Sequence, residues 1–181
     1  MEEVTVRAVR EHEWRNVREL RLAALRDEVA AIAFVDTIES ALARPDTFWQ
    51  ERTRDASVEA GPKAAARQFV AITGADVWIG SVTVLVEKPG ETDFEGAEIT
   101  RPAAALVGVY LDKSARGRGI LQSMFESALD WARERGLPHA RLYVHADNLR
   151  AQKAYVRAGF SPTGKALTGS LGAEIEMARS V

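Results

Sequence analysis

Six consecutive residues in the middle of the chain combine glycine with arginine, a composition suited to binding an anion. They read Ser114-Ala115-Arg116-Gly117-Arg118-Gly119. Glycines let a ligand approach the main chain closely, and arginine side chains donate charge-assisted hydrogen bonds to phosphate oxygens. A tight turn that carries solvated arginines is the alternative interpretation of the same residues.

The residues on either side predict a strand before this loop and a helix after it. Residues 105–111 form a nearly continuous apolar run, which is typical of a buried strand. After the loop, apolar side chains recur at the spacing of one helix face, at Ile120, Leu121, Met124, Phe125, Ala128 and Leu129. The loop would therefore lead into a helix N-terminus, whose free N–H groups and positive dipole end favour an anion. Two familiar phosphate motifs do not occur: there is no G-x-x-x-x-G-K-[ST], and Gln122 replaces the third glycine of G-x-G-x-x-G.

A second set of residues, with the regular spacing of a short helix and its ends, follows at Asn148, Ala151, Tyr155, Gly159 and Phe160. Together the two sets resemble the Gcn5-related N-acetyltransferase (GNAT) superfamily. The loop is similar to its acetyl-CoA motif R-x-x-G-x-[GA], with Arg116 first and Gly119 fourth, while Leu121 stands where Gly or Ala is usual. The second set matches N-x-x-A-x-x-x-Y-x-x-x-G-F at every specified position. The resemblance spans residues 107–160.

That resemblance implies an α/β fold. Its centre would be a mixed, mostly antiparallel sheet of about seven strands with one parallel βαβ unit, flanked by about four helices. It also implies acetyl-CoA as the cosubstrate and a primary amine as the acceptor. The implied cofactor-binding residues are Val109, Leu111, Arg116, Gly117, Arg118, Gly119, Ile120, Leu121 and Asn148. Main-chain groups of Val109 and Leu111 would meet the thioester carbonyl and the pantetheine amides, because members of this family splay two parallel strands there.

Tyr155 is the candidate catalytic residue. Asn148 and Tyr155 lie on one face of the predicted helix, so both can address one cleft. A phenol with an ordinary pKa of about 10 can protonate a departing thiolate or donate a hydrogen bond to it. The alternatives are a core-packing role for Tyr155 and a helix N-cap role for Asn148. No general base is identified; Glu98 and His145 are weaker candidates, and an amine can lose its proton to water.

Composition narrows the range of functions. A length of 181 residues and a formal net charge of −2 predict one domain over residues 1–181 and argue against nucleic-acid binding. The chain has no cysteine, which excludes disulfides, thiolate metal sites and a cysteine nucleophile, and so favours direct attack of the amine on the thioester. The three histidines lack ligand spacing, so no metal is expected. The N-terminus resembles neither a signal peptide nor a membrane span, which makes a cytoplasmic location the default expectation.

The rest of the pattern predicts strands over about residues 4–9, 68–72, 77–86 and 141–145, helices over about 13–28, 36–44, 45–54 and 148–158, and a final hairpin over 160–167 and 174–179. In the resembled family the region between the first two strands forms one wall of the acceptor site. Phe34, Phe48 and Trp49 are therefore candidate wall residues, with packing in a core as the favoured alternative.

The acceptor is expected to be a small-molecule amine. A protein N-terminus or lysine is one alternative, and a non-catalytic acyl-CoA-binding domain is another, favoured by Leu121 at the Gly or Ala position. The last strands could pair with another chain, which allows a homodimer.

Overall fold

The computed structural model, which describes residues 3–181, contains one seven-stranded mixed sheet. Its strands are β1 Val4–Ala8, β2 Ala66–Thr73, β3 Trp78–Glu87, β4 Ala103–Leu111, β5 His139–His145, β6 Ser161–Gly169 and β7 Gly172–Ser180. They lie in the order β1-β2-β3-β4-β5-β7-β6. Only the β4–β5 pair among these is parallel, and all other neighbours are antiparallel. The predicted fold class, with its single parallel βαβ unit, is confirmed.

Six α-helices flank the sheet in residues 3–181, where about four were expected. They are α1 Trp14–Leu25, α2 Ala30–Ala33, α3 Ile38–Ala43, α4 Asp46–Asp55, α5 Ile120–Glu134 and α6 Leu149–Arg157. The ranges predicted one by one already account for five of them, and the additional helix is the four-residue α2. Thr37 caps α3 by accepting a hydrogen bond from the Ser40 N–H, and Pro45 is the N-cap of α4. None of the helices described is long and apolar enough to cross a membrane.

The helices cover both faces of the sheet. Along β2, Phe69 and Ala71 pack in a core with α5, while Val70 and Ile72 pack in a second core with α1, as the alternation of a strand requires. The apolar face of α5 is fully buried at Met124, Phe125 and other positions of the predicted stripe. This packing fixes the axis of α5, and therefore the position of its N-terminus beside the end of β4.

The two parallel strands separate soon after they meet. Register pairs between β4 and β5 are confined to Ala104 with Ala140 and Ala105 with Arg141. On its other side β4 bulges, because Ser81 and Thr83 of β3 pair with Tyr110 and Val107. Gly108, inside the bulge, has a φ of 60°, which glycine adopts without strain. The cleft-facing backbone of residues 107–111 is thereby left without a β5 partner.

Candidate active site

The separated ends of β4 and β5 open into a cavity of about 1040 Å³. One wall consists of the end of β4, the glycine-rich loop and α6. The other walls come from residues 21–56, from residues 94–95 and from β5 and β7. The cavity brings together most of the residues predicted from the sequence: Val109, Leu111, Arg116, Gly117, Gly119, Ile120, Leu121, Asn148 and Tyr155. Arg118 does not line the cavity, and its side chain is exposed on the loop.

The loop before α5 has the backbone conformation expected of an anion-binding site. Gly117 and Gly119 have φ angles of 77° and 78°, in the left-handed region that favours glycine. The Ser123 N–H bonds to the Gly119 carbonyl at 3.1 Å, so the N–H groups of residues 120–122 have no acceptor within the helix. A side chain at Gly119 would meet no atom within 4 Å, which leaves room there for a ligand. The loop can therefore hold phosphate oxygens through its main chain.

The Arg116 side chain has protein partners in the structure. Its Nε donates to the Leu111 carbonyl at 2.9 Å, and its Nη2 forms an ion pair with Asp27 at the end of α1. Burial opposes ionisation of Asp27, but hydrogen bonds from the Val29 N–H and the Arg116 guanidinium outweigh burial and lower the pKa of that carboxyl. Arg116 thus ties the loop to β4 and α1, whereas Arg118 has no hydrogen bond or ion pair to any protein group in residues 3–181 and is free to meet a phosphate.

Asn148 and Tyr155 lie one above the other on α6, and both line the cavity. The Asn148 side chain accepts a hydrogen bond from the Ala151 N–H at 3.2 Å, so it is the N-cap of the helix. Tyr155 is 9% exposed and packs against Phe125, with 5.6 Å between ring centroids. Burial raises the pKa of Tyr155 to about 12. The phenol is therefore neutral at physiological pH and has a proton to donate.

Glu174 on β7 contributes a buried carboxylate to the same cavity, which the sequence did not reveal. The residue is 5% exposed, and its Oε2 has no hydrogen-bond partner among the described residues. Burial and the neighbouring Glu95 raise the pKa of Glu174, while His145 acts in the opposite direction. Both carboxylates point at Gly169, where an added Cβ would lie 2.2 Å from the Glu174 Oε2 and 2.7 Å from the Glu95 Oε2. A raised pKa suits a group that must take up a proton near neutrality.

The two sequence candidates for the base differ in position. Glu98 is exposed and lies outside the cavity, in a short bridge with Thr92. His145 lines the cavity, and its Nδ1 accepts a hydrogen bond from the Asp147 N–H at 3.1 Å. It also stands opposite Glu174 in the β5–β7 register.

Of the three aromatic candidates for the acceptor wall, only Phe34 lines the cavity. The Arg21 guanidinium lies 4.5 Å from the centre of its ring. Trp49 is 1% exposed and belongs to the core of α1 and α4, as the favoured alternative predicted. Phe48 packs at the edge of that core, beneath the guanidinium of Arg44 at 4.3 Å.

A family model described as "Acetyltransferase (GNAT) family" matches residues 34–160, which hold the loop, α5, α6 and Tyr155. The chain belongs to the GNAT family. Over 64 residues it is 39% identical to a mycothiol acetyltransferase of Beutenbergia cavernae; the match covers 34% of this chain and 22% of that protein. The chain therefore aligns with only about a fifth of the length of this curated relative.

Solved structures share the fold over nearly the full chain. A GNAT-family acetyltransferase from Streptococcus pneumoniae superposes with a TM-score of 0.73 at 14% identity, covering 99% of this chain and 100% of that one. PaiA N-acetyltransferase of Thermoplasma acidophilum in complex with coenzyme A gives a TM-score of 0.73 at 17% identity, covering 99% of both chains. These likenesses establish the GNAT fold and leave the acceptor open.

A buried ion network holds the connection between β3 and β4, residues 88–102, against the sheet. Arg141 on β5 donates to Glu87, to Asp93 at 2.8 Å and to Glu176 at 3.1 Å. The Asp93 side chain is 1% exposed and also accepts from the Tyr143 hydroxyl and from the N–H groups of residues 95 and 97. The network positions Glu95 in the cavity wall. No local pattern in the sequence indicated it, since its members come from four separate segments.

Proposed function

We propose that this protein is an acetyl-CoA-dependent N-acetyltransferase that acts on a primary amine of a small molecule. The observation that carries the proposal is the convergence in one cavity of three parts. These are an anion-binding loop at a helix N-terminus, a strand end without a parallel partner, and a protonated tyrosine. The coenzyme A complex of the Thermoplasma neighbour supports acetyl-CoA as the cosubstrate.

The cosubstrate would be held mainly by the main chain. The free N–H groups of residues 120–122 and the exposed Arg118 would bind the diphosphate. Backbone groups of Val109 and Leu111 would pair with the thioester end. The Leu111 carbonyl already accepts a hydrogen bond from Arg116, so the backbone of Val109 and the Leu111 N–H would provide most of this pairing. Leu121 lies in the wall of the cavity and packs partly against the core, so it lines the space next to the loop. Asn148 would complete the site at the start of α6.

The residues on the two sides of the cavity would divide the proton transfers. The amine nitrogen attacks the thioester carbonyl carbon, a C–N bond forms and the C–S bond breaks. The neutral Tyr155 hydroxyl gives its proton to the departing sulfur. The proton lost by the amine passes to Glu174, whose raised pKa lets it accept that proton and return it to solvent or to the tyrosine.

A small acceptor is supported by the size of the cavity. About 1040 Å³ is near the upper end of small-molecule sites, and it must contain the pantetheine arm as well as the acceptor. The relative named mycothiol acetyltransferase also suggests a small molecule. The experiment below distinguishes two alternatives: thiol release with peptide amines in the panel but not with small amines would indicate a protein acceptor, and binding without any turnover would indicate an acyl-CoA-binding domain.

The test is a titration with acetyl-CoA followed by an assay of thiol release with a panel of amines, using wild type and Tyr155→Phe. We expect the substitution to lower kcat by about 100- to 10,000-fold, the usual contribution of a general acid, with the CoA dissociation constant unchanged. Phenylalanine fills the same space, so the thermal midpoint should stay close to that of wild type.

Absence of both CoA binding and thiol release with any amine would contradict the proposed function. Binding without turnover would leave the non-catalytic alternative, and an unchanged kcat in Tyr155→Phe would remove the tyrosine from the mechanism. The single domain over residues 1–181, the homodimer and the cytoplasmic location stay predictions.

A further inference from the structure

Three arginines gather around one carboxylate on the wall of the cavity that α1, α3 and α4 form. Arg21 comes from α1, Arg44 follows α3, Arg52 comes from α4, and Asp36 precedes α3. All four line the cavity. The Arg44 Nη2 pairs with the Asp36 carboxylate at 3.1 Å. The helices α1, α3 and α4 pack against one another in the core that contains Trp49, so the arginines are held on one rigid wall.

The carboxylates on this wall do not neutralise all the arginines. Each acid has a guanidinium of its own: Asp27 pairs with Arg116, Asp36 with Arg44, and Asp55 with Arg54. Arg21 and Arg52 have no hydrogen bond or ion pair to any protein group in residues 3–181. Two cations in one concave wall therefore have donors available and face the space that a ligand would occupy.

The setting of these two arginines is unfavourable without an anion. Burial, together with the positive charges of Arg52 and Arg44, lowers the pKa of Arg21 to about 10, and Asp36 offsets this only in part. The Arg52 side chain is exposed to the open cavity, yet the surrounding protein and Arg44 lower its pKa as well. Arginine still keeps its charge at neutral pH, and a negative group bound beside both guanidinium groups would relieve the repulsion between them.

We propose that the acceptor amine carries a carboxylate or phosphate group, and that Arg21, Arg44 and Arg52 bind it. This inference rests on the proposed acetyltransferase function and names the class of its acceptor. Phe34 beneath Arg21 and Phe48 beneath Arg44 hold the two guanidinium planes in fixed orientations, which favours planar, bidentate recognition of an anion. Glu95 and Glu174 form a different wall of the same cavity and suit the ammonium end of such an acceptor.

The arrangement also selects against other amines. A polyamine would place a second positive charge near Arg21 and Arg52, where it meets repulsion and no free carboxylate. A neutral amine would leave the donors of both arginines unpaired, so it gains less on binding. The positive charge of the wall that holds Arg21 and Arg52 therefore determines the preference for an anionic acceptor. This wall lies away from the Glu174 carboxylate.

The experiment compares matched acceptors that differ in one group. Three sets serve: 4-aminobutyrate, 4-aminobutanamide and 1,4-diaminobutane; 3-aminopropyl phosphate and 3-aminopropanol; glucosamine 6-phosphate and glucosamine. Wild type should turn over the anionic member of at least one set with the highest kcat/KM. Comparison of kcat/KM between the carboxylate and the phosphate acceptors shows which of the two anions the site prefers.

Arg52→Gln should lower kcat/KM for that anionic acceptor by about 10- to 100-fold, the range for losing one hydrogen bond to a charged group. It should leave the neutral member unchanged, and Arg52→Lys should restore part of the loss. Arg133→Gln is the control, because Arg133 on α5 pairs with Asp130 in solvent and lies outside the cavity. It should behave as wild type with every acceptor.

Two results would overturn the proposal. One is equal or better turnover of neutral and cationic members, which leaves the acetyltransferase function standing. The other is a result of a binding experiment that needs no turnover, in which glutarate and inorganic phosphate are titrated into protein saturated with CoA. Equal binding by wild type and Arg52→Gln would mean that these arginines hold no anion. Thiol release from no amine, together with weaker glutarate or phosphate binding in Arg52→Gln, would support the anion site and contradict the enzymatic function alone.

Discussion

The cofactor side and the acceptor side of the cavity are built in different ways. The proposed cofactor side comes from two nearby stretches, residues 107–122 and 148–155, which supply the end of β4, the loop, the start of α5 and the face of α6 that carries Tyr155. The acceptor side takes side chains from residues 21–52, 94–95, 143–145 and 171–174. The first offers mainly backbone N–H groups, and the second offers charged side chains in two groups of opposite sign.

The difference fits what each side would bind under the proposed function. A diphosphate and an amide-rich arm are the same in every reaction of this kind, and fixed backbone groups can serve them. The acceptor is particular to this protein, and side chains on separate elements can change without disturbing the loop. The three predictions below act on one side at a time, in order of decreasing effect.

The largest effect is expected on the stability of the acceptor side. Arg141→Met should lower the free energy of unfolding by about 3–5 kcal/mol, because Glu87, Asp93 and Glu176 would lose their shared cation inside the protein. Urea denaturation measures this. Arg133→Met, which breaks an exposed pair with Asp130, is the control and should cost less than about 1 kcal/mol. A similar small loss in both variants would mean that the network is not structural.

Removal of the buried Glu174 carboxylate should lower the reaction rate without lowering the stability of the fold. Glu174→Gln should reduce kcat/KM by about 100-fold at neutral pH and remove the acidic limb of its pH profile, which in wild type lies above the usual glutamate range. Because the folded-state pKa of Glu174 is raised, its protonated form favours folding. That contribution is present at low pH and is lost as the pH rises through the folded pKa. The neutral glutamine should therefore keep or raise the thermal midpoint at pH 7.

Glu98→Gln provides the comparison for this variant, since Glu98 is exposed and lies outside the cavity. It should leave both the rate and the pH profile unchanged. A loss of the acidic limb in Glu98→Gln, with Glu174→Gln fully active, would reverse the assignment of the base.

The smallest effect is expected on the proposed cofactor side, where the main chain would provide most of the binding. Arg118→Gln should weaken acetyl-CoA by about 10-fold in a calorimetric titration, with no change in the free energy of unfolding. Arg116→Gln should instead destabilise the fold, because Asp27 would lose its cation and the Leu111 carbonyl its donor. If Arg116→Gln weakened acetyl-CoA binding and Arg118→Gln had no effect on it, Arg116 would be the residue that contacts the phosphate.

Most of the cofactor side could be predicted from the sequence because its determinants are local. Periodicity placed the strand before the loop and the helix after it, and the spacing from Asn148 to Phe160 placed Tyr155 on the cavity face of α6. The β4 bulge was not predicted, although Gly108 inside an apolar strand is the kind of residue that marks one. The ion pair of Arg116 was also beyond the sequence, since its partner Asp27 stands 89 residues away.

The acceptor side shows what only the tertiary structure decided. Arg21 and Arg52 appear in the sequence as ordinary polar positions of two amphipathic helices, and Glu174 as one of several charges in an alternating strand. The proposed binding roles of these three residues depend on which charges the fold brings near them and on which carboxylates remain unpaired. The sequence by itself indicated the fold class, the glycine-rich loop before α5 and Tyr155, because two short motifs carry the family resemblance and short-range periodicity places the strand and helices around them. The charges that face the acceptor depend on long-range packing, which no local pattern encodes.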